Sequence, residues 1–155
     1  MDVHNFLIER NIQHELFSAR GRLRTPDRMA AVLDLPPDAV GHVVIFEGRM
    51  GPIAAVVPSD AEADPVQVGK AAREPTLAVV DEPRASELTG YLAETIPPVG
   101  LPNEFRVVID VSLDRDEVLY FPGGEPRAVL KVRGTDLARA AGATLAPIIF
   151  HWPGA

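Results

Sequence analysis

Cysteine is absent from this 155-residue chain. Disulfide bonds, thiolate nucleophiles and cysteine-ligated metals are therefore excluded. Long apolar runs are missing too, because the longest, residues 43–46 and 53–57, have the length of a strand and not of a membrane span. The first residues lack a basic region followed by an apolar run, so no signal peptide is expected. These absences together predict a cytoplasmic protein with no membrane partner.

Positive charge is scarce. Lys and Arg number 15 against 22 Asp and Glu, which gives a net charge of -7, and only Lys70 and Lys131 are lysines. Non-specific nucleic-acid binding depends on cations that neutralise phosphates. The balance therefore argues against a DNA-coating protein, although a small basic patch that guides one RNA end is compatible with it. One dense cluster of arginines offers such a patch: Arg20, Arg22, Arg24 and Arg28. It can be a phosphate-contacting strip or a solvated loop, and we favour the solvated loop.

Length and local patterns predict one α+β domain. The domain is expected to span residues 1–150 and to be followed by a short tail, residues 151–155. Capping residues and helix-starting prolines predict helices that begin near Asp2, Thr25, Asp64 and Thr135, and residues 81–88 are predicted to form a helical turn. Apolar alternation and turn signals predict strands over residues 14–17, 40–46, 53–57, 76–80, 105–111, 117–121, 128–132 and 146–150. These strands cluster as hairpins and do not alternate strictly with helices, which favours an α+β fold.

Several kinds of site are not supported by the motifs. His4 and His14 lie on opposite sides of the end of the first helix and fit no metal-ligand spacing, so no metal site is predicted. Neither a Gly-x-Gly-x-x-Gly nor a Gly-Lys-Ser/Thr loop follows a strand, so no phosphate cradle and no cofactor are predicted. Asp114, Asp116 and Glu117 are interpreted as an exposed acidic turn and not as a carboxylate cluster.

The most unusual stretch covers residues 89–102, which we call the central loop. It holds three prolines and two glycines, a density that neither a helix nor a strand tolerates. It also carries apolar side chains that have surface to bury: Tyr91, Leu92, Ile96, Val99 and Leu101. A long, rigid and partly buried loop is uncommon in a compact domain and often functional, although a packed surface loop is the simpler interpretation.

Within this loop, Thr89-Gly90-Tyr91 precedes Pro98-Val99-Gly100, and a strand ending in Ile109-Asp110 follows. This pattern resembles the YbaK/EbsC family of free-standing aminoacyl-tRNA deacylases, which are related to the editing domain of bacterial prolyl-tRNA synthetase. Further short matches occur in the same order over residues 25–33, 38–40, 123–126 and 136–137. The resemblance implies an α+β domain around a mixed, largely antiparallel sheet with flanking helices. It also implies hydrolysis of the ester that joins a wrong amino acid to the tRNA 3′ end, with a synthetase as a further candidate partner.

The chain departs from the family pattern at two positions. Where the family has a lysine in its first long strand, His42 stands, and where it has a loop glycine four residues before Pro98, Glu94 stands. His42 can donate a hydrogen bond to the substrate, act as a general base, or be a strand histidine without a chemical role. Lys131, on a neighbouring hairpin, is an alternative source of the missing ammonium.

The resemblance therefore implies a candidate site with His42 as the catalytic residue, in contact with the ribose or the ester. The pocket rim is expected to come from the loop, Asp110 is expected to brace the sheet nearby, and Tyr91 is expected to contact substrate or to anchor the loop. The substrate-binding set is Tyr91, Glu94, Ile96, Pro98, Val99, Gly100 and Asp110. Two alternatives stay open. One is an impaired domain that binds an aminoacyl or nucleotide ligand, or a synthetase, without hydrolysis, and the other is a fold relative with an unrelated small-molecule role.

Overall fold

The computed structural model describes residues 2–21, 23 and 25–151. Arg22 and Arg24 of the arginine cluster lie outside the described residues, as does the predicted tail beyond His151. The described elements, in chain order, are α1 Val3–Glu9, β1 His14–Ser18, α2 Pro26–Val32, β2 Gly41–Gly48, β3 Gly51–Pro58, α3 Pro65–Ala72, β4 Leu77–Val79, α4 Glu82–Thr89, β5 Arg106–Asp110, β6 Val118–Pro122, β7 Ala128–Arg133, α5 Gly134–Ala141 and β8 Thr144–Ala146. Single 3-10 turns occur at Pro37–Ala39, Ala93–Thr95 and Val111–Leu113.

The strands form two sheets. The larger has the order β4-β2-β3-β5-β8, and the smaller has the order β1-β7-β6. Pairing is antiparallel throughout the smaller sheet and between β2 and its two neighbours, whereas β5 runs parallel to both β3 and β8. A parallel bridge between Val40 and Tyr120 brings the start of β2 next to the smaller sheet. The predicted α+β fold around a mixed, largely antiparallel sheet is therefore confirmed.

Local capping accounts for most of the helix starts. The Asp2 carboxylate accepts a hydrogen bond from Asn5 N at 2.8 Å, and Thr25 Oγ1 accepts one from Arg28 N at 3.2 Å. Asp64 caps α3 in the same way, through Val66 N at 3.0 Å. Each cap satisfies a backbone donor that has no partner within the helix. The three helix starts predicted at these residues are confirmed.

The predicted cap at Thr135 is wrong, because α5 begins at Gly134 and the capping position is Arg133, two residues earlier, whose side chain makes no cap bond. Its first amide groups are satisfied by a neighbouring loop: Gly134 N donates to Glu117 O at 2.9 Å, and Thr135 N donates to Arg115 O at 3.2 Å. A Cβ on Gly134 would lie 2.2 Å from Leu113 O, so this close approach requires glycine. At the start of α5, hydrogen bonds to a distant loop therefore take the place of a side-chain cap.

Most strand boundaries differ from the sequence prediction by one or two residues, and two elements differ more clearly. Residues 81–88 form most of α4, a full helix of eight residues capped by Asp81, and not a single turn. The last strand covers Thr144–Ala146 and not residues 146–150. The chain leaves the sheet after Ala146 because Ile148 N donates to the Asp110 carboxylate at 2.9 Å and Ile149 bridges to Ala63. The acidic turn after β5 is exposed at Asp114, Asp116 and Glu117, as predicted.

The buried clusters place two elements against β2. One cluster packs Met29 and Ala30 of α2, together with Leu23 before it, against Val40 and Val129. A second packs the central loop against the larger sheet through Ile96, which meets Ile45, Ala54 and Ala85. In consequence α2 and the central loop both adjoin β2.

Candidate active site

A cavity of about 240 Å³ lies where α2, the start of β2 and the central loop meet. We call it the β2 cavity. It is lined by Leu23, Thr25, Pro26, Met29, His42, Val43, Glu82, Ala93, Glu94, Ile96 and Pro122. Most of these side chains are apolar, and the polar ones are a threonine, a histidine and two glutamates. The cavity therefore combines apolar walls with a few hydrogen-bonding and charged groups, as small-molecule sites do.

His42 reaches this cavity as the second residue of β2. It pairs with Val57 across the hairpin, it is half-buried, and its Nε2 atom is shielded from solvent. The residue before it, Gly41, is buried against Phe121, and a Cβ there would lie 2.3 Å from Phe121 Cε1. Only glycine permits this approach without moving the ring. The contact between β2 and β6 thus determines where His42 lies.

Glu94 lies in the 3-10 turn of the central loop, and the next residue, Thr95, fastens that turn. Thr95 donates to Leu92 O through its amide at 2.8 Å and through its hydroxyl at 2.9 Å. Thr95 O accepts from Gly124 N at 3.0 Å. Residues 95–99 are all buried. The predicted partial burial of the central loop is confirmed, and these contacts hold Glu94 and Ile96 at the cavity.

Tyr91 lies on a different cavity, of about 430 Å³, together with Asp2, His4 and Gly124. Its hydroxyl donates to Gly100 O at 3.5 Å, across the central loop. Burial raises the pKa of Tyr91, and the nearby Asp2 carboxylate raises this pKa further. These contacts fit the anchoring role better than contact with a ligand in the β2 cavity.

Pro98, Val99 and Gly100 line a third and larger cavity, of about 730 Å³, between α1, the central loop and α5. They do not line the β2 cavity. Asp110 is 1% exposed and lines neither cavity, because its carboxylate accepts hydrogen bonds from Ser112 and from Ile148 N. The structure therefore brings together His42, Glu94 and Ile96 of the predicted set and separates the other five from them.

Lys131, the alternative source of the missing ammonium group, does not line the β2 cavity. It lies on β7 opposite Tyr120, and its Nζ is 3.9 Å from the Glu15 carboxylate. It lines a separate cavity with His14 and Val118. The hypothesis that Lys131 replaces the family lysine is therefore not supported by its position. Of the arginine cluster, Arg20 and Arg28 are described, and both are exposed.

Sequence reasoning missed the side chains of α2 and the segment before it. Leu23, Thr25 and Met29 line the β2 cavity, although they precede His42 by 19, 17 and 13 residues in the chain. The apolar face of α2 indicates that this helix packs against another element, but it does not indicate which strand that element is. Among the described residues, no group of three or more His, Asp or Glu side chains is arranged to hold a metal ion. No described helix is long and apolar enough to cross a membrane.

The fold and the cavity define a class of protein: a single α+β domain that offers a small, mostly apolar pocket between a helix, a strand and a structured loop. The family to which it belongs follows from comparison with known proteins. A family model described as the aminoacyl-tRNA editing domain matches residues 21–140, and the chain belongs to this family.

Several solved structures share this fold. A protein described only as hypothetical has a TM-score of 0.88 and 27% identity, over 96% of this chain and 99% of its own. A proposed trans-editing enzyme for prolyl-tRNA synthetase has a TM-score of 0.82 and 21% identity, over 96% of this chain and 95% of its own. A designed epitope scaffold reaches a TM-score of 0.83 at 20% identity, over 97% and 96% of the two chains. The last two likenesses concern the fold, which is that of the YbaK-like domains.

Proposed function

We propose that this protein is a free-standing hydrolase that removes the amino acid from mischarged aminoacyl-tRNA by cleaving the ester at the tRNA 3′ end. One observation carries the proposal. His42, Glu94 and Ile96 together line the β2 cavity, and the family resemblance assigns His42 and Glu94 to the positions of the family's lysine and loop glycine. Membership of the editing-domain family over residues 21–140 supports the substrate class.

The chemistry requires few protein groups, because an aminoacyl ester is activated and water is the nucleophile. The reaction passes through a tetrahedral intermediate whose oxygen carries negative charge, and preorganised donors lower the barrier to forming it. A histidine beside the ester can donate a hydrogen bond to the substrate or accept the proton of the attacking water. We assign His42 to this contact, with the backbone amides of the central loop as oxyanion donors.

Glu94 opposes this chemistry. A carboxylate close to a developing oxyanion repels it, and a side chain at this position keeps the substrate away from the loop backbone. Removing one oxyanion donor from a hydrolase typically costs about 10²–10³ in rate. We therefore expect Glu94→Gly to accelerate hydrolysis, by up to that factor if the carboxylate is the main obstacle.

The walls of the β2 cavity are expected to sort amino acids by size. Leu23, Met29, Val43 and Ile96 present apolar surface within a volume of about 240 Å³. An apolar pocket gains only about 1–3 kcal/mol per methylene group, so discrimination between similar side chains is modest. The specificity is therefore one of size class, small or medium side chains over long ones.

The second candidate is a domain that binds an aminoacyl or nucleotide ligand, or a synthetase, without hydrolysing anything. Glu94 favours it, because a domain that has lost the chemistry tolerates a carboxylate where an active one requires close backbone approach. The net charge of -7 fits a protein partner as well as it fits RNA.

Deacylation of a panel of mischarged tRNAs, such as Ala-tRNA(Pro), Cys-tRNA(Pro) and Ser-tRNA(Thr), separates the two candidates. The proteins compared are the wild type, His42→Ala, His42→Lys and Glu94→Gly, with Lys131→Ala as the matched control outside the site. Ester loss with wild type and Lys131→Ala, but not with His42→Ala, is the result expected. No turnover by wild type, His42→Lys or Glu94→Gly on any substrate would refute the hydrolase and leave the binding domain.

A further inference from the structure

Two histidines that are ten residues apart in the chain meet in the structure. His4 lies in α1 and His14 begins β1, and His4 Nδ1 is 3.0 Å from His14 Nε2. The two ring centroids are 5.1 Å apart, with an interplanar angle of 59°. The contact is exposed to solvent. It is distinct from the β2 cavity, which neither histidine lines.

The tautomer of His14 follows from its second contact. His14 Nδ1 is 2.8 Å from Ile12 O, and a carbonyl oxygen can only accept, so Nδ1 carries the hydrogen. In the neutral ring Nε2 then presents a lone pair, and it presents this lone pair towards His4. Histidines that bind metals commonly have this arrangement, in which one ring nitrogen donates to a backbone carbonyl and the other binds the ion.

We propose that His4 and His14 form a binding site for a divalent transition-metal ion, with His4 Nδ1 and His14 Nε2 as the two protein ligands. Metal–imidazole bonds are about 2.05 Å long. An ion at that distance from two nitrogens 3.0 Å apart subtends an angle of about 94° between them. That angle is close to the 90° between neighbouring ligands in square-planar or octahedral coordination and is smaller than the tetrahedral angle.

The geometry and the ligands indicate which ion fits. Imidazole suits copper, nickel and zinc, and the order of affinities for divalent ions places Cu²⁺ above the others. The 94° angle favours Cu²⁺ or Ni²⁺ over tetrahedral Zn²⁺. No third His, Asp or Glu is arranged around the pair among the described residues. Water therefore completes the coordination shell, and because the pair is exposed it is available there.

Binding requires a change of tautomer and a small movement. Because His14 Nε2 accepts in the observed contact, His4 Nδ1 donates to it, and the His4 hydrogen has to move to the exposed Nε2 of the same ring before Nδ1 can bind the ion. Each lone pair has to point about 43° away from the line that joins the two nitrogens, which follows from the same triangle of distances. His4 is exposed and its other ring nitrogen makes no hydrogen bond with the described residues, so its ring supplies most of this movement. His14 is held by Ile12 O. The bound ion would link α1 directly to β1.

Titration calorimetry and electron paramagnetic resonance with Cu²⁺ alone test the proposal. The proteins are the wild type, His4→Ala, His14→Ala and, as the matched control, His151→Ala, which removes an exposed histidine elsewhere. Wild type and His151→Ala are expected to bind one ion per chain, with nitrogen hyperfine coupling from two imidazoles. Removing either histidine should weaken copper binding by at least about 10–100-fold. That is the loss in metal affinity when a residue hydrogen-bonded to a metal ligand is removed, and loss of the ligand itself should cost no less. Copper should raise the Tm of the wild type and the control only.

Affinity equal to wild type in His14→Ala would overturn the proposal, as would equal weakening in His151→Ala. If His14→Ala does not fold, His14→Gln keeps a polar side chain of similar reach, and undiminished copper binding by that variant would count equally against the site.

Discussion

Replacing Asp110 by asparagine should destabilise the fold without touching the β2 cavity. Asp110 ends β5 and is 1% exposed. One carboxylate oxygen accepts from Ile148 N at 2.9 Å, and the other accepts from Ser112 N at 3.1 Å and from the Ser112 hydroxyl. This single side chain therefore ties the end of β5 to the 3-10 turn after it and to the segment beyond β8.

Asparagine has the same shape but only one acceptor oxygen. Its NH₂ group has to face either Ile148 N or the Ser112 donors, so at least one hydrogen bond is lost and two donors are set against each other. Hydrogen bonds to a charged group contribute about 1.5–3 kcal/mol each. We expect the free energy of unfolding to fall by about 2–4 kcal/mol. At about 2–4 °C per kcal/mol for a chain of this size, the Tm falls by roughly 5–15 °C.

Urea and thermal unfolding of wild type and Asp110→Asn measure this loss, with the exposed Asp114→Asn as the matched control. Ser112→Ala removes only the hydroxyl bond and should cost less than Asp110→Asn. A loss in Asp110→Asn below about 1 kcal/mol, or equal to that of Asp114→Asn, would refute the reasoning. A substrate-binding role for Asp110 would instead raise KM in the folded variant while stability stayed unchanged.

Three further predictions concern stability and the central loop. Gly41→Ala should cost about 1–3 kcal/mol in urea unfolding, because the new Cβ would lie 2.3 Å from Phe121 Cε1, and a loss below about 0.5 kcal/mol would contradict it. Burial alone raises the pKa of Glu74, but hydrogen bonds from Met50 N and Arg106 outweigh it and lower the pKa below 4.5. The Glu74 carboxyl therefore binds its proton more weakly in the folded state than in the unfolded state. The stability that the ionised carboxylate contributes is fully present above the unfolded pKa and is lost as pH falls through the folded pKa. The urea concentration at the midpoint of unfolding should therefore fall less steeply between pH 7 and pH 3 for Glu74→Gln than for wild type. Equal dependence of the two midpoints on pH would refute this. Tyr91→Phe should leave deacylation within about twofold of wild type, because the 3.5 Å bond to Gly100 O is weak and lies outside the β2 cavity; a large loss of activity would assign Tyr91 to the substrate.

Local chemistry made much of the fold predictable. Asp2, Thr25 and Asp64 cap their helices through bonds to amides two or three residues ahead, and such bonds need no tertiary partner. The β2–β3 hairpin follows from two apolar runs around a short turn. At the start of α5 the carbonyls of Glu117 and Arg115, which are distant in the chain, accept from the first amides instead, and the predicted cap was wrong by two residues.

The family resemblance also came from short motifs in the right order, and it predicted the family that the comparison then showed. It could not assign the members of one loop to different cavities. Glu94 and Ile96 line the β2 cavity, whereas Pro98 and Gly100, only a few residues later, line the cavity against α1 and α5. Closeness in the chain does not imply a shared pocket, because a structured loop can separate two cavities.

Sequence alone was sufficient for the helix starts, the hairpins, the α+β class and the family, because each depends on neighbouring residues or on their order. Other features depend on how distant segments pack. His42 lies at one cavity with α2 and Glu94, Asp110 is buried, and His4 contacts His14. Packing of this kind is determined by the shape of the whole core and has no local signature in the chain.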